Sequence, residues 1–291
     1  MVKQYNQLPS PTFSWLDVNG TEREAYENPA EQVTVSAADG PAVRKDIRQS
    51  TDLVIRGGAS PLLAVMHLHG GGMNVRTTVH AGAGEQLKLV QIFTGGALIS
   101  EVQAELAENA SLELVQIDLD CADAVSGAAV NLNGRNAAFT SYFGYQLSGS
   151  HRLDINLNMV QYGKKTCASA EVKGVLRGQA DKVFRGTIDF RKGASGSAGT
   201  EREEVLLLDE TARNRTVPVI LCAEDDVAGS HGATIGRIDP AQIFYMKSRG
   251  VPESEIYEIL AWSKLSSIIR QIGDAETEQA VKNLLGRGET E

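Results

Sequence analysis

The sequence predicts a mainly β protein, a β-solenoid body followed by a C-terminal helical domain, on three observations. Segments 87–92, 112–119 and 153–159 largely alternate apolar and polar residues, so each strand buries one face and wets the other. Turn glycines recur at Gly134, Gly149, Gly163, Gly178 and Gly193, spaced 15, 14, 15 and 15 residues apart. After Asp226 the apolar period becomes helical.

The glycine spacing exceeds an average strand plus a short corner. Each period is therefore either one long strand and turn of a meander or half a coil of a parallel solenoid. Periodicity admits both. Only the first turn, at Asn133-Gly134, carries the pair typical of two-residue hairpins, which favours the solenoid.

Taken in order, residues 1–63 read as a short N-terminal arm, with Pro9, Pro11, Pro29 and Pro41 among polar runs and few apolar periods. Residues 64–238 form the strand-built core. Residues 239–291 form the helical domain. Asp239 caps a first helix, with Pro240 at its first position, Gln242 three residues on and Gly250 as its stop. A second helix over 252–272 carries Ile256, Ile259, Leu260, Leu265, Ile268, Ile269 and Ile272 on one stripe. Asp274 caps a third, which carries Val281, Leu284 and Leu285 and ends at Gly286.

Composition narrows the function. Hydrophobic residues at 42% and charged residues at 22% of a 291-residue chain suit a soluble globular protein with a sizeable core. A formal charge of -9 repels phosphate backbones, so nucleic acid is not an expected partner. The polar N-terminus and the absence of a long apolar run predict no signal core, no membrane association and a cytoplasmic protein. Cys121, Cys167 and Cys222 are odd in number and far apart, which fits a reducing compartment.

No phosphate-cradling Gly-x4-Gly-Lys-Ser/Thr loop and no Gly-x-Gly-x-x-Gly after a strand occurs, so no nucleotide is expected on this chain. Gly193-Ala194-Ser195-Gly196-Ser197 lacks the last glycine of a nucleophile elbow and reads as a polar loop. His67 and His69 share one face of a strand at a metal-site spacing, but no nearby carboxylate completes a shell, and they read as strand histidines beside a glycine-rich corner. Asp118, Asp120 and Asp123 around Cys121 read as a strand leaving the core through an acidic corner.

The stretch 204–250 is distinctive. It contains Thr216-Val217-Pro218, Cys222-Ala223-Glu224-Asp225, then Ser230-His231-Gly232-Ala233-Thr234, Ile238-Asp239 and Phe244-Tyr245-Met246-Lys247-Ser248-Arg249-Gly250. This resembles the signature of the SufB/SufD family, scaffold proteins of the SUF iron–sulfur cluster assembly machinery, and a looser likeness extends back to about residue 70. The resemblance implies a right-handed parallel β-helix, dimerisation through it, a transient iron–sulfur cluster and an ABC-type (SufC-like) ATPase on the C-terminal helices. It also implies that this is a non-enzymatic scaffold. His231 falls where SufD-type members place a histidine implicated in cluster assembly. Other family positions depart: Gly229 replaces a SufD-type cysteine, Gly232 a SufB-type glutamate and Ala212 the SufB-type assembly cysteine.

With those ligands missing, Cys222 is the candidate thiolate and His231 the candidate imidazole for metal, with Glu224 beside them. A cluster usually takes about four protein ligands, so one chain must pool donors with a second copy or a family paralogue, as homodimer or heterodimer. Phe244, Tyr245, Ile256, Ile259 and Trp262 are the candidate ATPase-docking residues. Two competing functions remain. One is a carbohydrate-active solenoid enzyme using paired carboxylates among Asp118, Asp120, Asp181 and Asp189; the other is a cluster-free ATPase-binding module.

Overall fold

A computed structural model of the chain describes residues 1–12, 14–26, 29 and 31–286; the end of the helical domain, 287–291, lies outside them. The chain opens with β1 (Val2–Tyr5) and β2 (Thr21–Glu24), paired antiparallel. The next strands are β3 (Glu31–Ser36), β4 (Ala42–Ile47), β5 (Thr51–Arg56), β6 (Leu62–Gly70), β7 (Met73–Ala81) and β8 (Gln86–Gly95). There follow β9 (Ala97–Leu106), β10 (Ser111–Leu119), β11 (Asp123–Leu132), β12 (Ala138–Leu147) and β13 (Arg152–Gln161). The last are β14 (Cys167–Leu176), β15 (Asp181–Phe190), β16 (Ser197–Leu207), β17 (Arg213–Cys222) and β18 (Val227–Arg237). Three helices close the chain: α1 (Pro240–Ser248), α2 (Glu253–Ile269) and α3 (Ala275–Leu284).

From β3 onward, odd-numbered strands stack into one eight-stranded parallel sheet and even-numbered strands into another. The chain crosses from sheet to sheet at every turn. This is a parallel β-solenoid, and each glycine period is half a coil. The turns stack on one another as closely as the strands do: a Cβ on Gly163 would strike the Gly134 carbonyl, and one on Gly134 the backbone at Ala107 and Glu108. Glycine is required there by approach, not by dihedral.

Inward residues of both sheets fill a continuous core. Phe93, Phe143 and Tyr145 stack through it edge to face, with ring centres 6.2 and 6.5 Å apart. The first coil is built from 31–56, inside the stretch read as an arm. Its strands β3 and β4 are only six residues long and carry charge on exposed positions, as edge strands do to avoid pairing with another chain.

Each sheet has its outer face partly covered. On the even sheet, Val65, Val90, Ile92, Val115 and Ile117 point outward and meet Leu265, Ile268, Ile269, Ile272 and Val281 of the helices. On the odd sheet lies the β1–β2 hairpin. Asn6 sits in the left-handed region (φ 51) and donates its Nδ2 to the Ser126 and Asp154 carbonyls and to Asp154 Oδ1, at 3.3, 3.0 and 2.6 Å.

The helix starts follow their capping residues. The Asp239 side chain accepts from the Ala241 N–H at 2.8 Å, and that of Asp274 from the Thr277 N–H at 3.1 Å. Arg44 on edge strand β4 also grips Asp274, so the cap ties the helices to the first coil. That grip holds the Asp274 carboxyl down at about 2. Asp274→Ala is expected to cost about 1–2 kcal/mol in urea unfolding near neutral pH. Because the folded value is depressed, the contribution is present above the ordinary aspartate range and lost as pH falls toward 2. Among the described residues no helix is long and apolar enough to cross a membrane.

Candidate functional site

The candidate site is the terminal coil, β17 and β18. Each is the last strand of its sheet, so one edge of each is open. Cys222 and His231 are both exposed there. In-register neighbours of a parallel ladder project to the same side, which places His231 over Glu201 and Cys222 over Phe190.

The connecting turn is fastened to the turn below. Glu224 accepts from the Gly193 N–H at 2.9 Å through one carboxylate oxygen and from the Asp225 N–H at 3.2 Å through the other. Asp226 accepts from Ser195 Oγ at 2.7 Å. Cys222 Sγ donates to the Glu224 carbonyl at 3.1 Å. Glu224 thus holds the turn that positions Cys222.

Nine residues of separation do not bring the two candidate donors together. Gly229 lies against Ile220, so His231 faces Pro218 while Cys222 stands beside the turn. Along the strand direction alone they are offset by four residues, about 13 Å, and they lie on opposite sheets. Among the described residues there is no group of three or more His, Cys, Asp or Glu side chains arranged to hold a metal ion.

Beneath the terminal coil lies a polar layer that sequence reasoning missed. Lys182 and Glu203 form a fully buried ion pair. Thr216 Oγ1 donates to Glu203 at 2.6 Å, and Lys182 Nζ lies 5.4 Å from the Phe184 ring centre and 5.8 Å from that of Tyr145. Glu201, buried next to them, has its carboxyl pushed up to about 7 by burial and then by the Glu203 charge, against the pull of Lys182. The available signal is parity: Glu201 and Glu203 share a face of β16 with Val205.

The other candidate residues disperse. His69 lies on strand β6 with both ring nitrogens engaged, Nε2 with Asp46 at 2.8 Å and Nδ1 with Thr94 at 3.2 Å; the Asp46 carboxylate, from the neighbouring strand β4, corrects the expectation that none lies near. Asp118 is buried and accepts from the Cys121 N–H at 2.9 Å. Asp120 is bound by Ser148 and His151, Asp181 by Arg213 and Arg215, and Asp189 by Arg191. Asp118 is on β10, Asp120 in the turn after it, and Asp181 and Asp189 at opposite ends of β15.

On the helices, Phe244 and Tyr245 are 74% and 59% exposed on α1, which buries no residue. Ile259 is half-buried, and Trp262 packs partly against the Val115 cluster. Ile256 corrects the expectation: it is fully buried, because it lies on the side of α2 turned into the chain, so it offers no surface to a partner.

Residues 57–263 match the family model described as "SUF system FeS cluster assembly, SufBD core domain". The chain is 30% identical over 124 residues to the iron-sulfur cluster assembly protein SufD of Bacillus subtilis, covering 43% of this chain and 28% of that protein. It is likewise 30% identical over 129 residues to SufD of Escherichia coli, covering 44% and 30% respectively. A SufBD family protein of Staphylococcus saprophyticus matches at 21% over 268 residues, 91% of this chain and 54% of the relative. The chain therefore spans between about a quarter and a half of the length of these relatives.

Proposed function

The chain belongs to the SufBD family of the SUF iron–sulfur cluster assembly system, and we propose that it is a scaffold on which a nascent cluster is held between two copies of the terminal coil. The observation that carries this is the difference between the solenoid's two ends. The first coil ends in short, charge-bearing strands. The last ends in ten- and eleven-residue strands with open edges, apolar over 217–221 and rich in small residues over 228–233. Of the two, only the last coil offers a long open ladder for self-pairing.

An isologous contact repeats every interaction twice. A two-fold axis passing midway between Cys222 and His231 would set Cys222 of one copy against His231 of the other, and the reverse. Each meeting supplies one soft thiolate and one borderline imidazole, about half of the usual ligand complement of a cluster. Incomplete ligation suits a cargo that must leave. A family paralogue in place of the second copy would satisfy the same geometry.

An ABC-type ATPase would dock on α1 through Phe244 and Tyr245, with Ile259 and Trp262 at the margin, and its nucleotide cycle would shift the dimer between holding and releasing states. The three cysteines are free, which supports placing the protein in the cytoplasm.

The test is anaerobic reconstitution of the full chain with ferrous iron and sulfide. The wild type should run as a dimer with visible charge-transfer absorbance and acid-labile sulfide. Cys222→Ala and His231→Ala should each lose most of both while retaining the far-ultraviolet spectrum. Wild-type cluster yield in both variants would remove the two residues from the site. An ATPase complex that never holds iron would favour the cluster-free binding module.

A further inference from the structure

A cavity of about 500 Å3 lies between the β1–β2 hairpin and the outer face of the odd sheet, away from the terminal coil's His231 and Cys222. Five arginines line it: Arg23 from the hairpin, Arg152 from β13, Arg185 from β15, and Arg213 and Arg215 from β17. Such a concentration is unexpected on a chain of formal charge -9.

The cross-strand register explains how they gather. Asp123, Arg152, Asp181 and Arg213 are successive partners on four neighbouring strands, and Asp154, Val183 and Arg215 form the next column. Charges of opposite sign alternate along the first of these ladders, which is ordinary sheet chemistry. The count is uneven, however. Asp123 serves both Arg23 and Arg152, and Asp181 serves both Arg213 and Arg215. Arg185 has Asp154. Three sheet carboxylates thus hold five guanidiniums by close contacts. Further negative charge comes from Asp17 and Glu22 of the hairpin segment; Asp17 is 95% exposed and reaches Arg215 only at 4.0 Å, while Glu22 accepts from Gln4 at 2.6 Å.

The guanidiniums differ in how much of their hydrogen bonding is used. Arg185 is buried with all three nitrogens engaged, holding the Val18 and Gly20 carbonyls and Asp154, and so fixes the hairpin against the sheet. Arg152 and Arg213 are each joined to their carboxylate through a single Nη2, at 2.9 and 3.1 Å. Each guanidinium carries five N–H donors in a planar fork, so both retain donors for a second oxyanion.

We propose that this cavity binds a small multivalent oxyanion, a molecule bearing two or more phosphate or carboxylate groups, with Arg152 and Arg213 as its principal anchors and Arg23 and Arg215 beside them. The volume is that of a small-molecule site and exceeds what one phosphate fills. Paired guanidinium forks recognise phosphate and carboxylate oxygens alike. The Arg152 and Arg213 side chains are 55% and 73% exposed, so binding through them should weaken as salt rises. The site stands independently of cluster assembly.

Calorimetric titration of the metal-free full chain at low ionic strength, with sodium pyrophosphate and separately with sodium citrate, tests this. Saturable one-to-one binding of either ion is expected; pyrophosphate alone would identify a phosphate ligand and citrate alone a carboxylate ligand. Arg152→Gln combined with Arg213→Gln should weaken binding at least about tenfold. Arg76→Gln, which removes an arginine paired with Asp52 elsewhere on the same sheet, should leave it unchanged. Absence of saturable binding for both ions, or equal binding by the double variant, would overturn the proposal.

Discussion

Lys182→Met is expected to destabilise the chain by about 3–5 kcal/mol, the cost of leaving one member of a buried ion pair without its partner. Lys182 and Glu203 have side chains 0% and 1% exposed, so no water replaces the lost ammonium. Methionine fills nearly the same volume, which separates the charge effect from a cavity effect. Thr216 still donates to Glu203 at 2.6 Å, but one neutral hydrogen bond does not compensate a carboxylate in an apolar interior. Adding Glu203→Gln to Lys182→Met should recover most of the loss, because removing both charges removes the desolvation penalty along with the attraction. Urea unfolding followed by circular dichroism gives both numbers. Hydrogen exchange should show the single variant loosening β17 and β18 first, since Lys182 pairs in register with Asn214 and Glu203 with Ala233. A loss below about 1 kcal/mol would mean that the pair is solvated.

That polar layer also marks where sequence legibility ends. The alternation in 153–159 is visible because inward and outward positions differ in polarity along β13; in β10 it changes phase, with Gln116 and Asp118 buried inward and Val115 and Ile117 facing the helices, so that strand has no wet face over 114–118. The glycine period is visible because every turn excludes a side chain, by close approach at Gly134 and Gly163 and by positive φ at Gly149, Gly178 and Gly193. Helix starts at Asp239 and Asp274 are visible because capping is local chemistry. In β16 the inward positions include Glu201 and Glu203, and their partner Lys182 comes from another strand. No local pattern reports a pairing across the core. The hairpin is held by polar contacts such as Asn6 to Asp154, 148 residues apart, and β3 and β4 are too short to show a period. The relative placement of Cys222 and His231 is illegible for a related reason: sequence distance across a turn carries no register. Ile256 belongs to an apolar stripe of α2, and only packing decides which part of a stripe is spent internally.

Stability should fall as pH rises through 7, with a steeper fall than a chain of this composition otherwise shows. Asp118 and Glu201 are buried carboxyls whose folded values lie near 7, against ordinary values of 3.8 and 4.5, with burial as the leading cause in both. A carboxyl raised by folding binds its proton more tightly in the native state. Its favourable contribution is complete below the ordinary carboxylate range and is lost as pH passes through the folded value. The shifts correspond to a loss on the order of 2–4 kcal/mol for each group between pH 5 and pH 8.5. Glu101 and Asp189 are raised by burial too and act in the same direction. His67, lowered by burial, and Asp274, held down by Arg44, act oppositely on the acid side. Because that loss begins at the ordinary carboxylate values, the optimum should fall near or below about pH 5. Asp118→Asn keeps an oxygen for the Cys121 N–H, and Glu201→Gln keeps the shape above Gly186, so both variants should fold. Each should flatten the decline in urea midpoint between pH 5 and pH 8.5 and gain on the wild type at the alkaline end. If both variants decline in parallel with the wild type, neither carboxyl is titrating in that window and the polar interior is already ionised at neutral pH.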